Sequence, residues 1–225
     1  WGNNAYGQTT IPAGLNGVKA IAAGVLHTLA LKSDGTVVAW GGNAYGQTTI
    51  PAGLSGVKAI AAANYHNFAL KSDGTVVVWG DNLYGHTAIP AGLSGVSAIS
   101  GASGWVDIGI SNTLALKSDG KVVAWGDDGW GQGNFPAGLA GVTAIASGVF
   151  HTVALKSDGK VVTWGDNRYG DTDIPAGLSG VTAIAVGLYH TVALKSDGTV
   201  VAWGDNLSGP GQTTIPSGLT GVTAI

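Results

Sequence analysis

Residues 18–41 read VKAIAAGVLHTLALKSDGTVVAWG, a stretch with three segments typical of β-strands. Alternate residues of HTLALK point to opposite sides of a strand, and TVVAW is rich in the β-branched and aromatic residues that strands favour. The Ser-Asp-Gly sequence at 33–35 predicts a tight hairpin turn between them, because Gly adopts positive φ without strain. The small residues at 20–24 suit an inner strand crowded near a central axis. The stretch therefore predicts a unit of three strands.

The same unit recurs along the whole chain. Its Trp-Gly pairs are spaced by 39, 39, 46, 39 and 39 residues and begin at positions 1, 40, 79, 125, 164 and 203. A β-rich repeat of this length is typical of a propeller, in which each sheet buries its faces on its neighbours. An α-solenoid is excluded because the 3.6-residue period is absent. We predict an all-β fold, a single propeller domain over residues 1–225 with three- to four-stranded blades.

The array holds about six blades and is cut in mid-repeat at both ends. Only five sets run without a break from the inner strand to the following Trp. Unpaired strand edges tend to associate, so we expect either continuation in a longer array or a homo-oligomer formed through the blade edges. A designed or excised propeller fragment, with no native function of its own, is a further interpretation.

Composition excludes several classes of function. The chain of 225 residues has 39 Gly, no Cys, and 13 acidic side chains, all Asp, against 10 basic ones, for a formal net charge of -3. The absence of Cys removes disulfides and thiolate metal sites, and the net negative charge disfavours nucleic acid as a partner. No apolar run approaches the roughly 18 residues of a membrane helix, so no membrane insertion is expected.

The pattern AIAAGxxHTLALKSDGxVVAWGxNxYGQ resembles the repeats of the regulator of chromosome condensation superfamily along essentially the whole chain. The WGDNxxGQTTIP connector and the Gly-Val-x-Ala-Ile strand are most similar to the bacterial β-lactamase inhibitory protein II type of propeller. That resemblance implies a secreted or cell-surface propeller without a cofactor, which binds a protein partner through one face. The Ser-Asp-Gly turn and the Ile-Pro-Ala-Gly-Leu connector depart from that type.

The resemblance also implies which positions contact the partner: the two residues before the repeat His and the loop after Trp-Gly. The first set is Val25, Leu26, Asn64, Tyr65, Val149, Phe150, Leu188 and Tyr189. The second set includes Tyr45, Tyr84, Asp128, Trp130, Arg168 and Tyr169. These positions vary among the units of this one chain while the framework does not, which is typical of a surface that packing leaves unconstrained.

The third unit carries a seven-residue insertion with Trp105, and Asn112 replaces the repeat His. The insertion is interpreted either as a protruding loop with an aromatic anchor or as a segment folded over the channel mouth.

Catalytic and metal sites are not predicted. The repeat histidines (His27, His66, His151 and His190) occupy one position, which indicates a repeated structural hydrogen bond and not a catalytic centre, and the Trp residues of Trp-Gly are expected in the core. Asp166, Asp171 and Asp173 have a spacing that suggests Ca²⁺, but the alternating ligands and closing Glu of an EF-hand are missing. A propeller lyase or glycan hydrolase would need a pocket of converging His and Asp.

We therefore predict a non-catalytic, secreted or surface-exposed bacterial propeller that binds a protein through one face. The anchors are Tyr65, Trp105, Trp130, Phe150 and Tyr189. The alternative is a secreted β-lactamase inhibitor.

Overall fold

The computed structural model describes residues 2–101, 112–206 and 211–225, and its regular elements are all β-strands. They form five three-stranded antiparallel sheets, called blades 1 to 5 in chain order. The strands are β1 (Val18–Ala23), β2 (His27–Lys32), β3 (Val37–Gly41), β4 (Val57–Ala62), β5 (His66–Lys71), β6 (Val76–Gly80), β7 (Val96–Gly101), β8 (Asn112–Lys117), β9 (Val122–Gly126), β10 (Val142–Ser147), β11 (His151–Lys156), β12 (Val161–Gly165), β13 (Val181–Val186), β14 (His190–Lys195) and β15 (Val200–Gly204). The all-β prediction is confirmed, with three strands in each blade.

The Ser-Asp-Gly turn joins the second and third strands of each blade. In blade 1 the Gly35 N–H donates to Lys32 O at 3.0 Å, and Gly35 has a φ of 81°. The carboxylate of Asp34 accepts the backbone N–H and the hydroxyl of Thr36 at 3.0 and 2.6 Å. Asp34 itself has no positive φ, so the positive value belongs to Gly35 alone. These bonds explain why each unit repeats the same turn sequence.

Neighbouring blades come together at their first strands. β1 packs against β4, β4 against β7, β7 against β10 and β10 against β13. The small residues predicted for the inner strand allow this approach. In the part of the chain that the structure describes, no helix has the length and apolarity needed to cross a membrane.

The core lies between blades. Leu29 and Leu31 of blade 1 pack against Val57 and Trp79 of blade 2, and all four side chains are buried. Equivalent clusters fill the later junctions. Each fully buried Leu or Val contributes about 1.5–3 kcal/mol relative to exposure, so most of the stabilisation belongs to pairs of blades.

A set of hydrogen bonds, which we call the Trp clasp, joins each connector to the next blade. Trp40 Nε1 and Thr28 Oγ1 both donate to Gln8 O, at 3.0 and 2.9 Å. The Trp bond recurs in all five blades, at 2.8 to 3.1 Å, to the carbonyl oxygens of Gln8, Gln47, His86, Gln132 and Asp171. The Trp residues of Trp-Gly therefore serve the framework.

The outer side of blade 1 differs from the internal junctions. Val18 is 40% exposed, whereas its equivalents in blades 2 to 5 are 2–4% exposed. Val222 N–H donates to Gly198 O at 3.2 Å and so docks the last connector on blade 5, but Val222 and the residues after it form no strand. The predicted association through blade edges stays a prediction.

Candidate functional site

Each blade has two different ends. At the turn end lie the Ser-Asp-Gly hairpins. At the loop end lie the loop between the first and second strands and the loop that follows the third, which in blade 1 are residues 24–26 and 42–46. The register fixes this arrangement, because His27 pairs with Gly41 at one end of the blade. Both predicted contact sets therefore lie at the loop end.

The loop after the third strand is held by its own polar side chains. The side chain of Asn43 accepts the Thr48 N–H at 2.9 Å and donates to Thr49 Oγ1 at 3.0 Å. Gln47 Oε1 accepts the backbone N–H of Tyr45 at 2.8 Å. The same Gln bond holds the backbone of Tyr6 and of Trp130. The backbone is thus fixed while the aromatic side chain between Asn and Gln points outward.

The two predicted sets meet in aromatic pairs across blade junctions. The ring centroids are 4.9 Å apart for Tyr45 and Tyr65, 5.7 Å for Trp130 and Phe150, and 4.8 Å for Tyr169 and Tyr189. In each pair one ring follows the third strand of a blade and the other belongs to the next blade. These separations are in the range at which aromatic pairs attract one another.

Two further contacts join the last two pairs into one surface. Phe150 and Tyr189 stack with centroids 5.3 Å apart and planes 6° from parallel. The Arg168 guanidinium lies 4.3 Å from the centroid of Trp130, and its Nε donates to Asp166 Oδ2 at 2.7 Å. We call this group the aromatic cluster: Trp130, Phe150, Arg168, Tyr169 and Tyr189.

Three predicted contact residues are buried. Asn64 is 2%, Val149 0% and Phe150 7% exposed. Asn64 lies against the loop of blade 1, where its carbonyl accepts the Val25 N–H at 3.2 Å. Asn64 and Val149 therefore present no surface to a partner in this arrangement, and Phe150 acts by supporting Trp130 and Tyr189.

The other predicted residues lie at or near the surface. Exposed side chains are Val25, Tyr45, Tyr84, Asp128, Trp130, Arg168 and Tyr169. Half-buried side chains are Leu26, Tyr65, Leu188 and Tyr189. Trp105 lies outside the described residues, so its interpretation stays open.

The repeat histidines lie beneath the loop end and fasten neighbouring blades. His27 Nε2 forms a hydrogen bond with Asn67 Oδ1 of blade 2, and His151 Nε2 forms one with Thr191 Oγ1 at 3.0 Å. Burial lowers the pKa of His151 to about 4, so this imidazole is neutral at pH 7. The predicted structural hydrogen bond is confirmed for these two histidines.

Asp171 occupies the position of Gln47 and Gln132, and sequence reasoning missed its environment. Its side chain is fully buried, neither carboxylate oxygen has a hydrogen-bond partner, and Oδ2 lies 4.0 Å from Nδ1 of the buried His151. Burial raises the pKa of Asp171 to about 7, and the nearby carboxylates of Asp166 and Asp205 add to the effect. The Asp205 N–H, which donates to Tyr189 O, offsets only part of it. The sequence signal for this unusual environment is that Asp171 replaces the Gln found at the equivalent positions 47 and 132.

The three aspartates with calcium-like spacing serve different partners. Asp166 pairs with Arg168, and Asp173 Oδ1 accepts the Asn167 amide at 2.9 Å. Within residues 2–101, 112–206 and 211–225, no three His or Asp side chains are grouped so that they could hold a metal ion.

Four segments match the Regulator of chromosome condensation (RCC1) repeat: residues 18–47, 57–85, 142–171 and 181–209. Together they make up more than half of the chain, and they correspond to blades 1, 2, 4 and 5 with the loops that follow. Blade 3, the unit with the insertion, is unmatched. No curated protein matches the chain in sequence.

Solved propellers of the same kind resemble the chain in fold. Human WBSCR16 is 22% identical, with a TM-score of 0.68 over 84% of this chain and 62% of its own. Prp20p from Saccharomyces cerevisiae is 24% identical, with a TM-score of 0.66 over 82% of this chain and 56% of its own. The CRINKLY WD40 ectodomain of the Arabidopsis thaliana receptor kinase ACR4 is 22% identical, with a TM-score of 0.67 over 91% and 72%.

The chain thus spans 62% and 56% of the length of the first two of these structures. At such identities the likeness concerns the fold, whereas the matched repeats show the family. The three-stranded blades, the Trp clasp and the matched segments together place the chain in the Regulator of chromosome condensation (RCC1) repeat family of β-propellers.

Proposed function

We propose that the chain is a non-catalytic binding protein that holds a protein partner against its loop end. Trp130, Tyr169 and Tyr189 would be the central anchors. The observation that carries the proposal is the aromatic cluster, in which four rings and a guanidinium form a chain of contacts across two junctions, between blades 3 and 4 and between blades 4 and 5. Tyr and Trp, the residue types of these three anchors, are among those that dominate binding energy in protein interfaces.

The distribution of exposed aromatic rings supports this proposal. One repeat position, two residues after the loop Asn or Asp, carries an aromatic residue that is 37–57% exposed in five units: Tyr6, Tyr45, Tyr84, Trp130 and Tyr169. Single exposed apolar side chains are ordinary, but a contiguous apolar patch marks an interaction site.

Relatives in fold support a protein as the class of partner. Prp20p has been described together with its binding to Gsp1p and histones, and yeast RCC1 (Prp20) in complex with Kap60. Their partners are properties of those proteins. For this chain we take from them only that such propellers bind proteins.

The test is partner binding by a triple variant, Trp130→Ala, Tyr169→Ala and Tyr189→Ala. The immobilised chain would be used to capture and identify a partner, and the dissociation constant for the purified partner would then be measured by calorimetry. We expect a loss of at least about 100-fold, because each interface anchor typically contributes 2 kcal/mol or more. Phe150 is left intact, since its removal would open a void beneath the other rings.

Tyr6→Ala is the matched control. Tyr6 occupies the same repeat position in the first unit and is exposed, but it lies outside the aromatic cluster. We expect its substitution to leave the affinity within about twofold. Unchanged binding by the triple variant, with an unchanged circular dichroism spectrum, would refute the assignment of the loop end.

A narrower proposal is inhibition of a β-lactamase outside the cell. It is supported by the sequence resemblance to the inhibitory protein II type and by the position of both implied contact sets at one end of the blades. Titration of class A β-lactamases with nanomolar chain, followed by nitrocefin hydrolysis, tests it. Full activity at a large excess of chain would remove this proposal but not the broader one.

A further inference from the structure

Charge is segregated between the two ends of the blades. The turn end carries all nine Lys with five Asp, and the described loop end carries seven Asp with one Arg. The loop-end aspartates are Asp81, Asp127, Asp128, Asp166, Asp171, Asp173 and Asp205. Four of them, Asp81, Asp127, Asp166 and Asp205, directly follow a third strand, so the repeat itself collects negative charge at the end that carries the aromatic cluster.

The buried histidines do not neutralise this charge. Burial lowers the pKa of His66 to about 3 and that of His151 to about 4, and the pKa of His27 is also lowered by burial. At pH 7 these three imidazoles are therefore uncharged. Arg168 is the only Arg or Lys at the described loop end.

Arg168 is already engaged by the chain. Its guanidinium lies over Trp130 and pairs with Asp166 at 2.7 Å. A planar guanidinium held between an aromatic face and a carboxylate is a common way in which a protein binds an Arg of its partner. The loop end thus already holds Arg168 by an aromatic face and a carboxylate, which are the two contacts that an Arg of a partner would need.

We propose that the partner of the loop end is a basic protein segment, whose Arg or Lys side chains lie on the aromatic cluster and pair with the surrounding aspartates. This inference rests on the proposed function and narrows its partner class. Opposite charge at the two surfaces would also speed association and exclude acidic partners.

Asp171 adds to the fit. Its carboxylate is fully buried, has no hydrogen-bond partner on either oxygen, and faces the imidazole of His151, whose Nδ1 lies 4.0 Å from Oδ2; the carboxylates of Asp166 and Asp173 are also near. In its ionised form Asp171 adds to the negative charge of the loop end.

Two fluorescein-labelled peptides provide the test, one of alternating Arg and Gly and one of alternating Glu and Gly. Fluorescence anisotropy with the full chain would be measured at low and at physiological salt. We expect the Arg peptide to bind, the Glu peptide to bind at least about 10-fold more weakly, and the difference to shrink as salt screens the charges.

Matched charge variants locate the interaction. Asp128→Asn with Asp166→Asn removes two charges at the loop end, and Asp119→Asn with Asp158→Asn removes two at the turn end. In all four cases Asn keeps the oxygen that accepts a backbone N–H. We expect the first pair to weaken Arg-peptide binding at least about fivefold and the second pair less than twofold.

Arg168→Ala tests the role given to Arg168. Because the substitution uncovers the face of Trp130, we expect the Arg peptide to bind about threefold more tightly. Weaker or unchanged binding would contradict competition between Arg168 and the incoming cation.

Equal binding of both peptides, or equal effects of the two variant pairs, would overturn the inference. So would binding of the identified partner with normal affinity by the Asp128→Asn, Asp166→Asn variant. If that partner is lost only in the Trp130, Tyr169 and Tyr189 triple variant, the proposed function stands while the basic partner class fails. Loss of the partner in both sets of variants supports the inference.

Discussion

The turn end and the loop end are built by the same repeat, yet they tolerate change very differently. At the turn end all five units read Lys-Ser-Asp-Gly. Each residue has a backbone task there: Ser33 donates twice to Gly17 O, Asp34 caps Thr36, and Gly35 takes a positive φ. At the loop end Asn and Gln do the backbone work, and the residue between them varies. Variation within one chain therefore separates framework from surface.

The largest effect on stability should come from replacing Asp171 at the loop end with Gln, the residue at the equivalent positions Gln47 and Gln132. The folded-state pKa of about 7 lies above that of an unfolded aspartate, so folding takes up a proton. The stability associated with the protonated group is complete below about pH 4 and is lost as the pH rises to 7. We expect Asp171→Gln to be more stable than the parent, by up to about 4 kcal/mol at pH 7 and with a much smaller gap at pH 4.

Urea unfolding at pH 4, 5.5, 7 and 8 checks this prediction. Asp171→Asn is the control, since it removes the titration but is too short to copy the Gln47 bond to the loop backbone. A gap between Asp171→Gln and the parent that does not change with pH would show that Asp171 does not titrate as described.

Smaller effects are expected when Trp is replaced by Phe, once in the buried framework and once at the exposed loop end. Trp164→Phe removes the buried bond from Trp164 Nε1 to Gln132 O at 2.8 Å and should cost about 1–3 kcal/mol. Trp130→Phe, at an exposed loop position, should change the free energy of unfolding by less than about 0.5 kcal/mol. Denaturant midpoints with unchanged slopes would measure both, and equal losses would break the distinction between framework and surface.

The smallest effect should come from exchanging Thr for Lys directly after the turn Gly, because both residues occur at this position among the five units. Units 3 and 4 have Lys121 and Lys160 where the others have Thr, and their backbone N–H groups still bond the turn Asp at 3.1 Å. Thr75→Lys should therefore leave the thermal midpoint within about 2 °C. A fall of more than 5 °C would mean that the Thr hydroxyl bond to Asp73 is needed in its own unit.

The sequence was sufficient for the parts that each unit builds alone. Strand alternation and the Ser-Asp-Gly turn are local, so the three strands and the hairpin followed from the order of residues, while the positions at the loop end followed from the family resemblance. The repeated identity of His27 and His151 also pointed correctly to a structural bond. The remainder depends on contacts between units.

Contacts across blade junctions could not be predicted. The stacking of Phe150 on Tyr189 and of Arg168 on Trp130 depends on the angle between blades, which no single unit encodes. The same is true of burial: Asn64 and Val149 occupy the position of the exposed Val25, but the neighbouring loops cover them. Asp171 looks like one of several polar loop residues until the surrounding blades remove its water.

The Trp clasp bears on how such a chain changes length over generations. Each Trp40-type bond reaches back 32 residues, or 39 where the insertion intervenes, and the acceptor is a main-chain oxygen. The acceptor residue differs between units, yet the bond is kept, because side-chain identity does not matter for it. Gain or loss of a whole repeat through misaligned recombination of similar gene segments would give every surviving Trp an equivalent oxygen. The number of blades can then change while each remaining Trp keeps its hydrogen bond, and the loop sequences can change independently.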